Sequence, residues 1–124
     1  MSQDIVADAL NKMVNSLKAG KNSVEIQQHS KLLLAILAIA KLRGYIINYQ
    51  LEGNLLKVQL GNLNDCKAIK PRYIVSVKNI DKYVKRYLPA REIGVIIIST
   101  SQGLMTHQTA IDKNLGGSLI AYLY

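Results

Sequence analysis

Apolar and polar positions recur along this chain with two periods, and the changes of period mark its elements. Ile5, Val6, Ala9, Leu10, Met13, Val14 and Leu17 fall at spacings of one, three and four, which places them on one face of an amphipathic helix. Asp4 is its natural cap and Gly20 ends the segment. Ser23–Ile26 reads as a short strand. Ser30 offers an N-cap to a second helix over Lys31–Arg43, where Leu32, Leu33, Ile36, Leu37, Ile39 and Ala40 form a wide apolar face before Gly44 stops it. Tyr45–Leu51 and Leu55–Leu60 flank the connection Glu52-Gly53-Asn54 and read as a hairpin.

From Asn62 to Pro71 the pattern lapses into polar sequence without period, which marks a boundary. Beyond it Tyr73–Val77 reads as a strand and Ile80–Leu88 as a short helix that Pro89 helps to end. Ile93–Ile98 is almost wholly apolar, as a strand buried on both faces must be. Its β-branched residues favour a strand, and Gly94 would weaken a helix. Ser99–Met105 reads as a polar loop, Thr106 as the cap of a short helix through Lys113, and Ser118–Tyr122 as a last strand. The pattern predicts an α+β protein of two small α/β domains. Residues 1–64 form helix-strand-helix-hairpin, two helices against a three-stranded sheet. Residues 65–124 are mostly β with two short helices.

Composition narrows this. With 49% hydrophobic residues the chain is globular, and with seven Tyr but no Phe and no Trp its core is aliphatic. The longest purely apolar run, Leu32–Ala40, has nine residues, about half a membrane span. No membrane-spanning segment, and so no partner within a membrane, is expected. The opening Met-Ser-Gln-Asp-Ile lacks the basic-then-apolar order of a secretory signal, so the cytoplasm is the expected address. A single cysteine, Cys66, allows no internal disulfide and no cysteine-ligated metal knuckle. It stands in the polar loop beside Asp65 and Lys67, where a lysine lowers a thiol's pKa modestly.

Charge points to a partner. The net charge is +8 and is uneven: residues 1–66 carry seven basic and five acidic side chains, residues 67–124 nine and three. Lys67, Lys70, Arg72, Lys78, Lys82, Lys85, Arg86 and Arg91 fall within 25 positions in which Asp81 is the only acid. Such a run suits a polyanion, nucleic acid first and an acidic membrane surface second. A solvated basic face kept for solubility has the same composition.

Three places have the chemistry for binding. Ser99-Thr100-Ser101-Gln102-Gly103 and Thr106 crowd hydroxyls and an amide after the most apolar strand, suited to base edges, ribose hydroxyls or phosphate. An ordinary polar connection satisfying its own backbone reads the same way. Ser30 and Lys31 open a helix, where free N–H groups attract phosphate and a lysine opposes the dipole; a plain cap beside a solvated lysine is the other reading. Lys78, Lys82, Lys85 and Arg86 gather on one side of a helix, with Tyr83 and Tyr87 four apart either packing inward or stacking on bases. Enzyme chemistry lacks a motif. His29 and His107 have no metal-ligand spacing, and neither a G-x-S-x-G elbow nor a phosphate-binding Gly-rich loop occurs.

Four stretches carry a resemblance: Lys70-Pro71-Arg72-Tyr73, Tyr87-Leu88-Pro89-Ala90, Ser99-Thr100-Ser101-Gln102-Gly103-Leu104-Met105-Thr106-His107, and Gly116-Gly117-Ser118-Leu119-Ile120-Ala121-Tyr122. In this order they resemble the eighth protein of the small ribosomal subunit, in its archaeal and eukaryotic-type branch. Asp4-Ile5-Val6-Ala7, Ser30-Lys31-Leu32 and Arg43-Gly44-Tyr45-Ile46 extend the likeness over the whole chain, with Ile5 standing where the family usually has Pro.

The resemblance implies a non-enzymatic, cofactor-free and metal-free RNA-binding protein of the cytoplasmic small ribosomal subunit, with no small-molecule substrate. Its implied partners are a stem in the central domain of small-subunit rRNA and neighbouring small-subunit proteins. The loop matching Ser99–Gly103 is implied to meet an irregular RNA core through the minor groove, and Ser30 and Lys31 to approach the backbone. The alternative is a translational repressor that binds a messenger mimicking that site. Together with the basic segment, this nominates Ser30, Lys31, Lys70, Arg72, Lys82, Lys85, Ser99, Thr100, Ser101, Gln102, Gly103, Thr106, Gly116 and Gly117 as RNA-binding residues. Small hydroxyls approach base edges and 2′-hydroxyls closely, while lysines add strength without reading sequence.

Overall fold

The computed structural model describes residues 4–90 and 93–124, and the chain divides between Lys67 and Ala68 into two compact units. The first holds α1 (Ile5–Lys18), β1 (Ser23–Ile26), α2 (Lys31–Leu42), β2 (Ile46–Glu52) and β3 (Leu55–Leu60). Local chemistry sets its helix ends. Asp4 Oδ1 accepts the Ala7 N–H at 3.1 Å and Ser30 Oγ the Leu33 N–H at 3.1 Å, each satisfying a donor that has no partner within the helix. At the far end of α2, Gly44 N–H bonds to Lys41 O and Tyr45 N–H to Ala40 O, the paired closure of a Schellman turn. Arg43 is thereby the cap of α2, and the helix stops one residue short of the stretch its periodicity suggests.

The apolar faces of both helices find one sheet. Val6, Ala9, Leu10 and Met13 of α1 and Leu33, Ile36, Leu37 and Ala40 of α2 are buried, as are Ile26, Ile46, Leu56, Val58 and Leu60 of the strands. The strands are antiparallel in the order β1-β3-β2, and β3 alternates buried with exposed positions as a strand with one covered face must.

The division falls inside a short strand, β4 (Cys66–Ala68). The second unit continues with β5 (Ile74–Val75), a 3-10 turn over Val77–Asn79, α3 (Ile80–Tyr87), β6 (Val95–Thr100), β7 (Gly103–Thr106), α4 (His107–Asp112) and β8 (Gly117–Leu123). β6 lies between β8 and β7, both antiparallel to it, and β5 pairs antiparallel along the other side of β8. Ile96, Ile98 and Leu119 of the sheet bury against Ile80, Val84 and Leu88 of the α3 segment.

Three expectations shift here. The central strand begins at Val95 rather than Ile93, because Ile93 turns back to a bridge with Ala90 and stays 53% exposed. At its other end it runs on through Ser99 and Thr100, which pair with Leu104 and Gly103. The segment Ser99–Met105 is not a loop: β7 pairs with β6 from Thr106 back to Gly103, leaving only Ser101 and Gln102 in the turn. Finally, the strand expected over Tyr73–Val77 shortens to Ile74–Val75, since Val77 already enters the 3-10 turn.

Candidate nucleic-acid interface

The β6–β7 hairpin projects the densest polar group on the second unit. Thr100 closes it: its Oγ1 donates to Gly103 O at 2.8 Å and accepts the Gln102 N–H at 3.1 Å. Gly103 takes φ +112°, a conformation side chains disfavour, which lets the turn close in two residues. Ser99, Ser101 and Gln102 are exposed, and among the described residues the hydroxyls of Ser99 and Ser101 have no hydrogen-bond partner. So one of the three consecutive hydroxyls shapes the hairpin and two face outward, free for a partner. Thr106 is different again. It is 6% exposed, and its Oγ1 accepts the Thr109 N–H at 3.3 Å and shares a hydrogen bond with Thr109 Oγ1 at 3.2 Å. Its hydroxyl caps the six-residue α4 instead of reaching the surface.

Two further features hold the hairpin in place. Ser99 pairs with Ser118 of β8, and Ser118 pairs on its other side with Ile74 of β5. A Cβ on Gly117 would collide with the Ser99 carbonyl oxygen, and one on Gly116 with the Val75 carbonyl oxygen. The glycine pair therefore lets three strands close at the base of the hairpin, and both glycines are only half-buried. His107 supports the same strand from α4. Its ring is 3% exposed, and its Nδ1 accepts the Ile96 N–H at 3.1 Å, which puts the proton of the neutral ring on Nε2.

The basic residues stand on α3 and just before it. Ile80 and Val84 face the core, whereas Lys78, Lys82, Lys85 and Arg86 are exposed, as are Lys70 and Arg72. Arg91, the last of the basic run, lies outside the described residues. Tyr83 and Tyr87 do pack inward, but as part of something longer. They join Tyr73, Tyr122 and Tyr124 in a row of rings along the flank of the core. A signal existed for that row. Tyr83 and Tyr87 share a helix face, and Tyr122 and Tyr124 stand two apart at the end of β8. What joins the two pairs is packing between α3 and β8, which no local spacing records.

In the first unit, Ser30 Oγ is engaged by the Leu33 N–H and Lys31 is exposed at the first position of α2. Cys66 corrects the sequence reading. It is buried in β4 and not in a polar loop, with its Sγ 3.5 Å from Leu10 O. Burial first, and the Asp65 carboxylate second, push its thiol up to about 12 rather than down. It is held as a neutral group. Among the described residues no cluster of His, Cys, Asp and Glu could hold a metal ion, and no helix is long and apolar enough to cross a membrane.

Comparison with known proteins meets this geometry. The sequence model of ribosomal protein S8 matches residues 4–124. The chain is 40% identical, over an alignment of 129 residues covering 100% of both chains, to small ribosomal subunit protein uS8 of Nanoarchaeum equitans.

Proposed function

Since the chain belongs to the ribosomal protein S8 family, whose members are structural parts of the small ribosomal subunit and not enzymes, we propose that it grips a stem in the central domain of small-subunit rRNA through the β6–β7 hairpin. The observation that carries this reading is the division of labour among three consecutive hydroxyls. Thr100 closes the turn, so Ser99 and Ser101 are presented outward on either side of it. A-form RNA closes its major groove to side chains, and a narrow two-residue turn bearing short donors fits a shallow or distorted minor groove. Lys82 and Lys85 on α3, with Lys70 and Arg72 before it, neutralise phosphates, as Lys31 does from the first unit. Gly116, Gly117 and Thr106 serve the site by holding the hairpin in shape.

The two kinds of contact separate by their response to salt. Ser101→Ala deletes neutral hydrogen bonding and costs about 1–3 kcal/mol on the central-domain stem, with an unrelated duplex bound as before. The slope of log K against log salt stays the same, because no charge is lost. Lys82→Ala weakens binding to both RNAs and shrinks the slope by about 0.7–0.9. Filter binding over a salt series measures both. Equal weakening of the two RNAs by Ser101→Ala sinks the hairpin as the element that reads RNA shape.

A further inference from the structure

The tyrosine row of the second unit is continuous. Ring centroids lie 5.5 Å apart from Tyr73 to Tyr83, 6.4 Å from Tyr83 to Tyr87, 5.5 Å from Tyr87 to Tyr122 and 6.0 Å from Tyr122 to Tyr124. Each inner ring has another ring on either side, and all five are packed on the core. Such a row leaves no slot for a base to enter between rings. What stands on it is cationic: Lys82 Nζ lies 6.0 Å from the centre of the single Tyr83 ring, whereas Arg86 is placed over two rings. The guanidinium carbon of Arg86 lies 5.8 Å from the centre of the Tyr73 ring and 5.4 Å from that of Tyr87. Arg86 is exposed, and among the described residues no carboxylate pairs with it.

An arginine held by two ring faces differs from a lysine on the same helix. The rings attract its charge and restrict the long side chain, while its five N–H donors lie in the guanidinium plane and keep their capacity. The ordering cost of binding is thereby met before the partner arrives. We infer that Arg86 is a pre-oriented anchor that clasps one RNA phosphate with two parallel hydrogen bonds, and that the tyrosine row is the frame that aims it. This rests on the RNA-binding reading above and deepens it. RNA rather than an acidic protein is favoured by the company Arg86 keeps. Lys82 and Lys85 on the same helix and Lys78 just before it are exposed too, with Asp81 as the single acid on α3, a density of charge that suits successive phosphates.

The experiment is filter binding of the full chain to a transcript of the rRNA central domain, across a salt series, with an unrelated duplex alongside. Arg86→Ala is expected to weaken transcript binding about tenfold and to shrink the salt slope by about 0.7–0.9. Arg86→Lys keeps the slope, since the charge remains, yet binds about fivefold more weakly because the planar fork is gone. Tyr73→Leu, at the end of the row, weakens binding about threefold in the parent and not at all in the Arg86→Ala background, as coupled residues must. Arg86→Lys binding like the parent overturns the inference, and so does Tyr73→Leu acting equally in both backgrounds. If the parent does not prefer the transcript to the duplex, the RNA-binding reading itself falls. If the parent prefers it and Ser101→Ala weakens it while Arg86→Ala does not, only the anchor falls, and the face passes to an acidic protein neighbour.

Discussion

Cys66 illustrates how far a residue's chemistry depends on partners distant in sequence. Its neighbours Asp65 and Lys67 read as a polar loop, but the thiol is 2% exposed and reaches Leu10 O, 56 positions away. Burial raises its pKa from 9.0 to about 12. Below pH 9 the thiol is protonated in both folded and unfolded chains, and pH does not act through it. Between 9 and 12 only the unfolded chain releases the proton, so stability falls as pH rises, by about 1.4 kcal/mol per unit. Denaturant unfolding at pH 8 and pH 10 is expected to show the parent losing about 1 kcal/mol more than Cys66→Ala. Equal losses in the two proteins would show that the thiol ionises freely when folded. His107 teaches the same lesson over a shorter span. Its ring accepts an N–H 11 positions earlier, and His107→Ala leaves that buried donor unpaired at a cost of about 1–3 kcal/mol, read as a lowered unfolding midpoint. By contrast Asp4, Ser30 and Thr106 were legible as caps, because a cap bonds three residues along its own chain.

At the scale of elements, legibility follows the length of the repeating pattern. α1 and β3 bury one face over several periods, and their limits follow from the spacing of apolar residues. The β6–β7 hairpin could not be read so. Its second strand has four residues, begins with Gly103 and is defined by pairing to β6 more than by its own alternation. The Gly116-Gly117 pair was visible as a motif, yet its physical reason appears only when β8 is laid against Ser99 and Val75. That reason gives a prediction. In Gly117→Ala the new methyl meets the Ser99 backbone, which cannot move aside as a side chain could, so β8 and β6 are forced apart at the base of the hairpin. The expected cost is about 1–3 kcal/mol in unfolding free energy. Binding to the central-domain transcript weakens as well, because Ser99 shifts, and the salt slope stays unchanged. A variant as stable as the parent would mean that the strands are not held as closely at this point as the backbone positions indicate.

For the molecule as a whole, the two units differ in charge as well as in architecture. The second carries most of the positive excess, and the hairpin and α3 both belong to it, so the proposed phosphate neutralisation centres there. The first unit supplies Ser30 and Lys31 to the proposed interface; Ser30 Oγ caps α2, Lys31 is the cation of the pair, and the sequence left two readings of it open. Its side chain is exposed at the first position of α2, where its charge opposes the helix dipole, and it has no acidic partner among the described residues. Solvated lysine and phosphate contact look alike in the free protein. They differ in the complex, because counterion release counts the phosphates neutralised wherever on the molecule the cation stands. If Lys31 neutralises one, Lys31→Ala shrinks the salt slope by about 0.7–0.9, and the double variant with Lys82→Ala shrinks it by about twice as much. The losses in log K add too, since the two lysines belong to separate units and share no partner among the described residues. If Lys31 is merely solvated, the double variant titrates like Lys82→Ala alone, and binding is confined to the second unit.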